Sequence, residues 1–102
     1  MRPIHLADLD KRRPVLIMTR ELVRPHLHTV TVAPITTTVR GLSTEVAVGR
    51  ANGLDHDGVV SCDNLLTVPA ASVGRRIGFF LPFQEEDLTR AILAAFDLET
   101  PT

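Results

Sequence analysis

The chain has 102 residues, of which 44% are hydrophobic and 23% are charged, and its formal net charge is −1. These values indicate one globular domain, residues 1–102, with no room for a second core. The chain has four Phe but no Trp or Tyr, which argues against an RNA-binding surface that stacks bases on aromatic rings. A single cysteine cannot form an internal disulfide, which favours a reducing cytoplasm, and no apolar run reaches the roughly 18 residues of a membrane span.

In chain order, short apolar and alternating segments predict a mainly β protein. Strands are expected at residues 4–9, 15–20, 29–35, 44–48, 59–62, 65–69 and 75–80. Polar segments with turn residues separate these strands, among them a very short turn at residues 10–12. Gly78 lies inside the last strand, and a glycine there predicts a bend or a bulge.

The one helix is expected at residues 82–98. Its first turn is acidic, which suits the positive end of the helix dipole. An apolar stripe follows at Leu88, Ile92, Leu93, Ala95 and Phe96. The order of elements fits an α+β fold in which a small antiparallel sheet or barrel packs against a C-terminal helix.

Two of the predicted strands have polar side chains suited to a phosphodiester at their ends. Arg13 precedes the apolar run at 15–18, and Thr36 and Thr37 follow the strand at 29–35. A guanidinium is permanently charged and binds two phosphate oxygens at once, whereas a threonine hydroxyl both donates and accepts a hydrogen bond. If these strands are neighbours, their ends would form a small site for a phosphodiester.

The charges are unevenly distributed along the chain. Residues 1–76 hold ten of the eleven Lys and Arg against seven Asp and Glu, a balance of +3, while residues 77–102 have a balance of −4. Ten of the eleven cations are Arg, the residue suited to bidentate phosphate contact. Charge alone fits a solvated, arginine-rich surface equally well.

Six segments, in order and with compatible gaps, carry a family resemblance. They are residues 13–20 (RPVLIMTR), 32–38 (VAPITTT), 41–46 (GLSTEV), 59–64 (VVSCDN), 66–69 (LTVP) and 74–78 (GRRIG). With these segments and a closing helix, the chain resembles the MazF/PemK/Kid toxins of bacterial toxin–antitoxin systems, the mycobacterial MazF members above all.

The resemblance implies an SH3-like small barrel of the MazF/CcdB type with a C-terminal helix. It implies a homodimer that inhibits translation by cutting single-stranded RNA (mRNA, tRNA or rRNA) at short sequence motifs, leaving 2′,3′-cyclic phosphate and 5′-hydroxyl ends. It also implies a MazE-like antitoxin as partner, and neither a metal nor another cofactor. No Cys or His spacing in the sequence matches a zinc site.

The resemblance assigns catalytic roles to Arg13 and Thr36. Binding or supporting roles fall to Asp63, Asn64, Thr37, His28, Arg75 and Arg76. A guanidinium is a poor base, so Arg13 is expected to stabilise the negative charge of the transition state. The sequence leaves open which group acts as general base or acid, which RNA motif is cut and which antitoxin binds.

The chain departs from the family pattern near its N-terminus. Family members usually begin with Gly-Glu/Asp-Ile-Trp, whereas this chain has Pro3-Ile4-His5 and only a short turn at residues 10–12. Two alternatives stay open at this point. One is a CcdB-like toxin that poisons DNA gyrase, and the other is a non-catalytic barrel that binds RNA or protein.

Overall fold

A computed structural model of the chain describes residues 1–100 and consists of seven strands and one α-helix. The strands are β1 (Pro3–Asp8), β2 (Arg12–Ile17), β3 (Thr29–Thr36), β4 (Glu45–Val48), β5 (Gly58–Ser61), β6 (Leu66–Pro69) and β7 (Val73–Phe79). The helix α1 spans Gln84–Ala95, and 3-10 turns occur at Arg24–His26, Arg50–Asn52, Cys62–Asn64 and Ala70–Ser72. This confirms a mainly β fold with a C-terminal helix.

All strand pairs are antiparallel, in the spatial order β4-β5-β3-β2-β1-β7, and β6 pairs with the first half of β3. Within residues 1–100 the pairing does not continue from β4 round to β7, so the predicted small barrel is an open sheet. The expected irregularity in β7 is present, because its register against β1 shifts on both sides of the pair formed by His5 and Arg76.

Two apolar clusters lie on opposite faces of the central strands. Leu16 and Ala33 belong to the cluster that also contains Leu88 and Ala91 of α1. The second cluster consists of Ala7, Val15, Ile17, Val30 and Val32. Because successive strand residues point to opposite faces, the continuous apolar run in β2 is buried on both sides, and each buried Val, Leu or Ile side chain contributes about 1.5–3 kcal/mol.

The strand predicted at residues 15–20 is shifted towards the N-terminus. Asp8 pairs with Arg12 across a tight hairpin, so that β2 begins at Arg12 and includes Arg13. It ends at Ile17 because the Thr19 hydroxyl, rather than a backbone carbonyl, accepts the N–H of Thr31 at 2.8 Å. Arg13 is therefore held inside the sheet rather than on the preceding turn.

The helix is shorter than the predicted 82–98. It begins at Gln84, whose side-chain Oε1 accepts the N–H of Leu81 at 2.8 Å. It ends before Asp97, which has a left-handed φ of 52°, and the Leu98 N–H turns back to the Leu93 carbonyl at 2.9 Å. This is the Schellman arrangement, with Asp in the position that glycine usually occupies. Of the predicted stripe, Phe96 is exposed.

A few contacts fix α1 to the sheet. Arg2 forms an ion pair with Glu85 at 2.9 Å and donates to the carbonyls of Ile17 and Met18. Arg2 is thus a structural cation, which the sequence did not distinguish from the others. Among residues 1–100 there is no helix with the length and apolarity to cross a membrane.

Candidate active site

The register of β2 against β3 brings Arg13 and Thr36 to the same edge of the sheet. The pairing of β2 with β3 ends at Val15 and Pro34, and two further residues along each strand lead to Arg13 and Thr36. A shift of two residues preserves the face to which side chains point. Both side chains line one cleft of about 460 Å³, which we call the Arg13 cleft.

The Arg13 cleft is walled mainly by polar side chains. Its lining residues are Leu9, Asp10, Arg13, Pro34, Thr36, Thr38, Arg40, Leu42, Glu45, Ser61, Asp63, Asn64 and Leu66. Four of the predicted site residues are therefore together: Arg13, Thr36, Asp63 and Asn64. Arg40, Asp10 and Glu45 were not singled out from the sequence.

Arg13 is largely enclosed but retains hydrogen-bonding capacity. Its side chain is 25% exposed, and one terminal nitrogen donates to Asp10 Oδ2 at 3.2 Å. Its Nε is buried, and among the described residues no acceptor reaches it. Asp10 thus orients the guanidinium, while its other terminal nitrogen, which is not buried and has no hydrogen-bond partner among residues 1–100, stays available to an anionic ligand. The sequence has Asp10 three residues before Arg13 in a short turn, and this spacing could have indicated their ion pair.

Asp63 and Asn64 enter the cleft because of an interruption in the strand opposite β3. Both β5 and β6 pair with β3: Thr36 pairs with Val59 in β5, and Val32 pairs with Leu66 in β6. The four-residue step from Thr36 to Val32 in β3 is therefore matched by seven residues from Val59 to Leu66, which is three more than an uninterrupted strand would have. The extra residues form the 3-10 turn Cys62–Asn64. Such bulges often re-aim side chains beside active sites.

The carboxylates that line the Arg13 cleft already have partners. Asp63 accepts a hydrogen bond from the Thr44 hydroxyl at 2.6 Å. Glu45 accepts the backbone N–H groups of Arg40 and Leu42, both at 3.1 Å. Asp10 alone of these three acids has a cationic partner, Arg13, whereas the donors to Asp63 and Glu45 are neutral groups that orient those carboxylates.

A second cleft of about 570 Å³, the Arg75 cleft, adjoins the first. It is lined by Leu6, Pro14, Ile35, Thr36, Thr37, Gly53, Leu54, Asp55, His56, Gly58, Arg75, Arg76 and Ile77. Thr36 lines both clefts. The guanidinium of Arg76 lies 4.6 Å from the ring centroid of Phe79, a distance at which a cation–π interaction holds it in place.

His28, one of the predicted site residues, lies outside both clefts. His28 is exposed, its carbonyl accepts the N–H of Ala70 at 2.8 Å, and it lines neither cleft. Its role stays a prediction.

Cys62, expected at a strand end, begins the 3-10 turn and is 1% exposed. Burial, followed by the charge of Asp63, raises the pKa of its thiol from 9.0 to about 11. It is a core residue, as its apolar neighbours suggest.

Metal-binding side chains are not clustered here. Within residues 1–100, no group of three or more His, Cys, Asp or Glu is placed to hold a metal ion. The two clefts offer guanidinium groups, hydroxyls, carboxylates, the His56 imidazole and the Asn64 amide.

Comparison with known proteins identifies the family of this fold. Residues 4–96 match a family model described as PemK-like, MazF-like toxin of type II toxin–antitoxin systems. Endoribonuclease MazF3 of Mycobacterium tuberculosis is 65% identical over 99 residues, covering 97% of this chain and 96% of that protein.

Solved structures give the same result. The Mycobacterium tuberculosis toxin MazF-mt6 superposes with a TM-score of 0.95 at 64% identity, over 97% of this chain and 100% of that one. A mycobacterial endoribonuclease in complex with its cognate antitoxin superposes with a TM-score of 0.86 at 28% identity, over 97% and 95% of the two chains. The chain therefore belongs to the PemK-like and MazF-like toxins of type II toxin–antitoxin systems.

Proposed function

We propose that this toxin is a metal-independent endoribonuclease that cuts single-stranded RNA in the Arg13 cleft. The observation that carries the proposal is that Arg13, near the start of β2, and Thr36, at the end of the neighbouring β3, line one cleft. The 65% identity to a protein named as an endoribonuclease over nearly the whole chain supports the activity.

The proposed reaction uses the ribose 2′-hydroxyl as nucleophile. A bond forms from the 2′-oxygen to phosphorus, the bond from phosphorus to the 5′-oxygen breaks, the 2′-proton leaves to a base and the 5′-oxygen takes up a proton. The products are a 2′,3′-cyclic phosphate and a 5′-hydroxyl. The protein must stabilise the extra negative charge on phosphorus-bound oxygens as this charge develops.

Arg13 has the charge and the free donor for that task. Its guanidinium stays protonated at any physiological pH, so it acts as an electrostatic stabiliser rather than as the base. The Thr36 hydroxyl donates a hydrogen bond to a phosphate oxygen. Its Oγ1 also accepts the N–H of Thr38 at 3.1 Å, which fixes the position of Oγ1. Asp63 and Asn64 form the opposite wall, and Thr37, Arg75 and Arg76 bind the RNA beyond Thr36.

The partners follow from the same reasoning. A MazE-like antitoxin neutralises the toxin by laying an extended acidic segment over the arginines of the Arg13 and Arg75 clefts, a proposal supported by the antitoxin complex of a similar mycobacterial endoribonuclease. The toxin acts as a homodimer on cytoplasmic mRNA, tRNA or rRNA and thereby blocks translation.

The decisive experiment compares neighbouring arginines in β2. Arg13→Ala should lower the cleavage rate in EDTA on the order of 10²–10³-fold, the loss typical of one charge-stabilising donor. Arg12→Ala is the matched control, because Arg12 is an exposed residue that pairs with Asp8 and does not line the Arg13 cleft. It should cut RNA at close to the wild-type rate.

Undiminished cutting by the Arg13 variant would refute this assignment, provided that both variants have wild-type circular dichroism. Analysis of the cut ends should find cyclic phosphate. A CcdB-like gyrase poison or a non-catalytic binding domain predicts intact RNA under the same conditions, so the assay also separates those alternatives.

A further inference from the structure

The Arg75 cleft is pre-formed by a close approach between a loop and a strand. A Cβ on Gly53 would lie 2.4 Å from the Ile77 carbonyl oxygen, and one on Gly78 would overlap the Asn52 carbonyl oxygen. Gly53 also has a left-handed φ of 88°. These glycines let residues 50–58 pack directly on β7, which places Asp55 and Arg75 in the wall of the same cleft.

A buried polar network holds the loop in that position. Asn52 is 2% exposed, and its Nδ2 donates to the Phe79 carbonyl at 3.0 Å and to Gln84 Oε1 at 2.6 Å. Its Oδ1 accepts the N–H of Gly49 at 3.1 Å. The loop is thus tied to β7 and to α1, so the side chains that follow Asn52 are positioned before any ligand arrives.

Asp55 differs from the carboxylates of the Arg13 cleft. Asp10, Glu45 and Asp63 each have a hydrogen-bond partner. Across residues 1–100, by contrast, Asp55 accepts no side-chain hydrogen bond and makes no ion pair, and it is the one carboxylate among the residues lining the Arg75 cleft. An ionised carboxylate is an acceptor only, so its complement is a ligand with N–H donors.

The composition of the Arg75 cleft fits a nucleotide. Apolar walls from Leu6, Pro14 and Ile77 can cover a base, while Arg75 offers a cation to its phosphate. A volume of about 570 Å³ is in the range of small-molecule sites, which are mostly apolar with a few placed polar groups. Because Thr36 lines both clefts, an RNA strand cut in the first continues into the second.

We propose that the Arg75 cleft holds the base of a nucleotide next to the scissile phosphate, and that Asp55 selects a base with an exocyclic amino group. This inference rests on the proposed ribonuclease function. Cytosine, adenine and guanine all carry an amino donor, whereas uracil presents a carbonyl oxygen in place of the amino group of cytosine. On that edge uracil keeps only its ring N3–H as a donor, and the carbonyl oxygens on both sides of it face the carboxylate unfavourably, so uracil is disfavoured.

The test uses the full chain and four synthetic single-stranded RNAs that differ only at the position flanking the cut, with C, A, G or U. Mapping cut ends on a random RNA pool first identifies that position. Wild-type kcat/KM should favour at least one amino base over uracil by about 5- to 150-fold, the discrimination expected of one good base contact. The cytosine, adenine and guanine arms show which base is taken.

The informative variant is Asp55→Asn, because an amide both donates and accepts. The preference of this variant for an amino base over uracil should fall to about twofold or less. Its base preferences at the other positions of the cleaved sequence should remain those of the wild type. Asp57→Asn is the matched control, since Asp57 lies on the same segment but lines a different cavity. An unchanged Asp55→Asn profile, or a wild-type preference for uracil, overturns the inference. Absence of any RNA cleavage by the wild type overturns the proposed function as well.

Discussion

Neighbouring residues of the same type have different surroundings in this toxin because a strand alternates its faces. Arg12 forms an exposed ion pair with Asp8 at 3.7 Å, whereas Arg13 is largely enclosed in the cleft with an unpaired Nε among the described residues. An exposed ion pair contributes little, about 0–1 kcal/mol. The sequence shows two adjacent cations, and only the folded structure distinguishes the one that lines a cleft together with Thr36.

The hydroxyl of Thr36 can be tested separately from its shape. Thr36→Val keeps the β-branched shape of the half-buried side chain but removes the donor. We expect the cleavage rate to fall roughly 10- to 100-fold, because a hydrogen bond to a charged group contributes about 1.5–3 kcal/mol. Thr36→Ser should keep most of the activity. Single-turnover cleavage of a short RNA measures both, and equal rates for the Val variant and the wild type would remove Thr36 from the mechanism.

The buried thiol gives a pH-dependent prediction. The pKa of Cys62 is raised from 9.0 to about 11 by burial and by Asp63, so above pH 9 the unfolded chain releases a proton that the folded chain retains. The free energy of unfolding should therefore fall as the pH rises from about 9 to about 11, with the contribution fully present below pH 9.

Urea unfolding at several pH values measures this decline. Cys62→Ala, which is expected to be less stable overall because it removes buried volume, should lack the part of the decline that the thiol causes. The same slope in both proteins would show that Cys62 titrates normally.

At the scale of elements, close contacts decide where the loops lie. Strand existence followed from alternation and β-branched residues, and all seven predicted strands are present. The position of β2 and the end of α1 did not follow, because they depend on a hairpin pairing of Asp8 with Arg12 and on the left-handed conformation at Asp97. The close approach of Gly53 to β7 was equally invisible in sequence, where Asn52-Gly53 indicates only a turn.

Two glycines with similar backbone conformations provide a matched pair. Gly53 and Gly41 have φ of 88° and 73°, but a Cβ meets the Ile77 carbonyl at 2.4 Å in the first and nothing within 4 Å in the second. Gly41→Ala should cost about 1–2 kcal/mol of unfolding free energy for the left-handed conformation alone. Gly53→Ala should cost clearly more, because the loop must also move away from β7. Urea denaturation measures both, and equal losses would contradict the close approach.

At the scale of the whole molecule, the described chain exposes several large apolar side chains. Phe83, just before the start of α1, is 71% exposed, and Phe96, just after its end, is 55% exposed. The sequence analysis had placed Phe96 in the apolar stripe. Exposure of such groups is a common feature of surfaces that contact another protein, and it is consistent with the homodimer that we propose.

The assembly itself can be measured directly. Light scattering of the purified chain should give a mass near twice its 11.2 kDa at micromolar concentration, with a shift towards the monomer mass on dilution. Phe96→Glu tests whether this exposed ring takes part, and Glu86→Gln on the exposed side of α1 is the control. A monomer mass at all concentrations would contradict the proposed dimer.

The sequence by itself determined the fold class and the pair of side chains most suited to a phosphodiester, because hydrophobic alternation and residue chemistry are local properties. The family followed from the resemblance of six segments in order. Four of the eight predicted site residues line the Arg13 cleft, and Thr37, Arg75 and Arg76 line the cleft beside it. Only the tertiary structure decided that Asp10 holds Arg13, that His28 lies apart and that Asp55 is unpaired within residues 1–100. Those facts depend on strand register, on a three-residue bulge and on glycine contacts between distant segments, none of which a local pattern encodes.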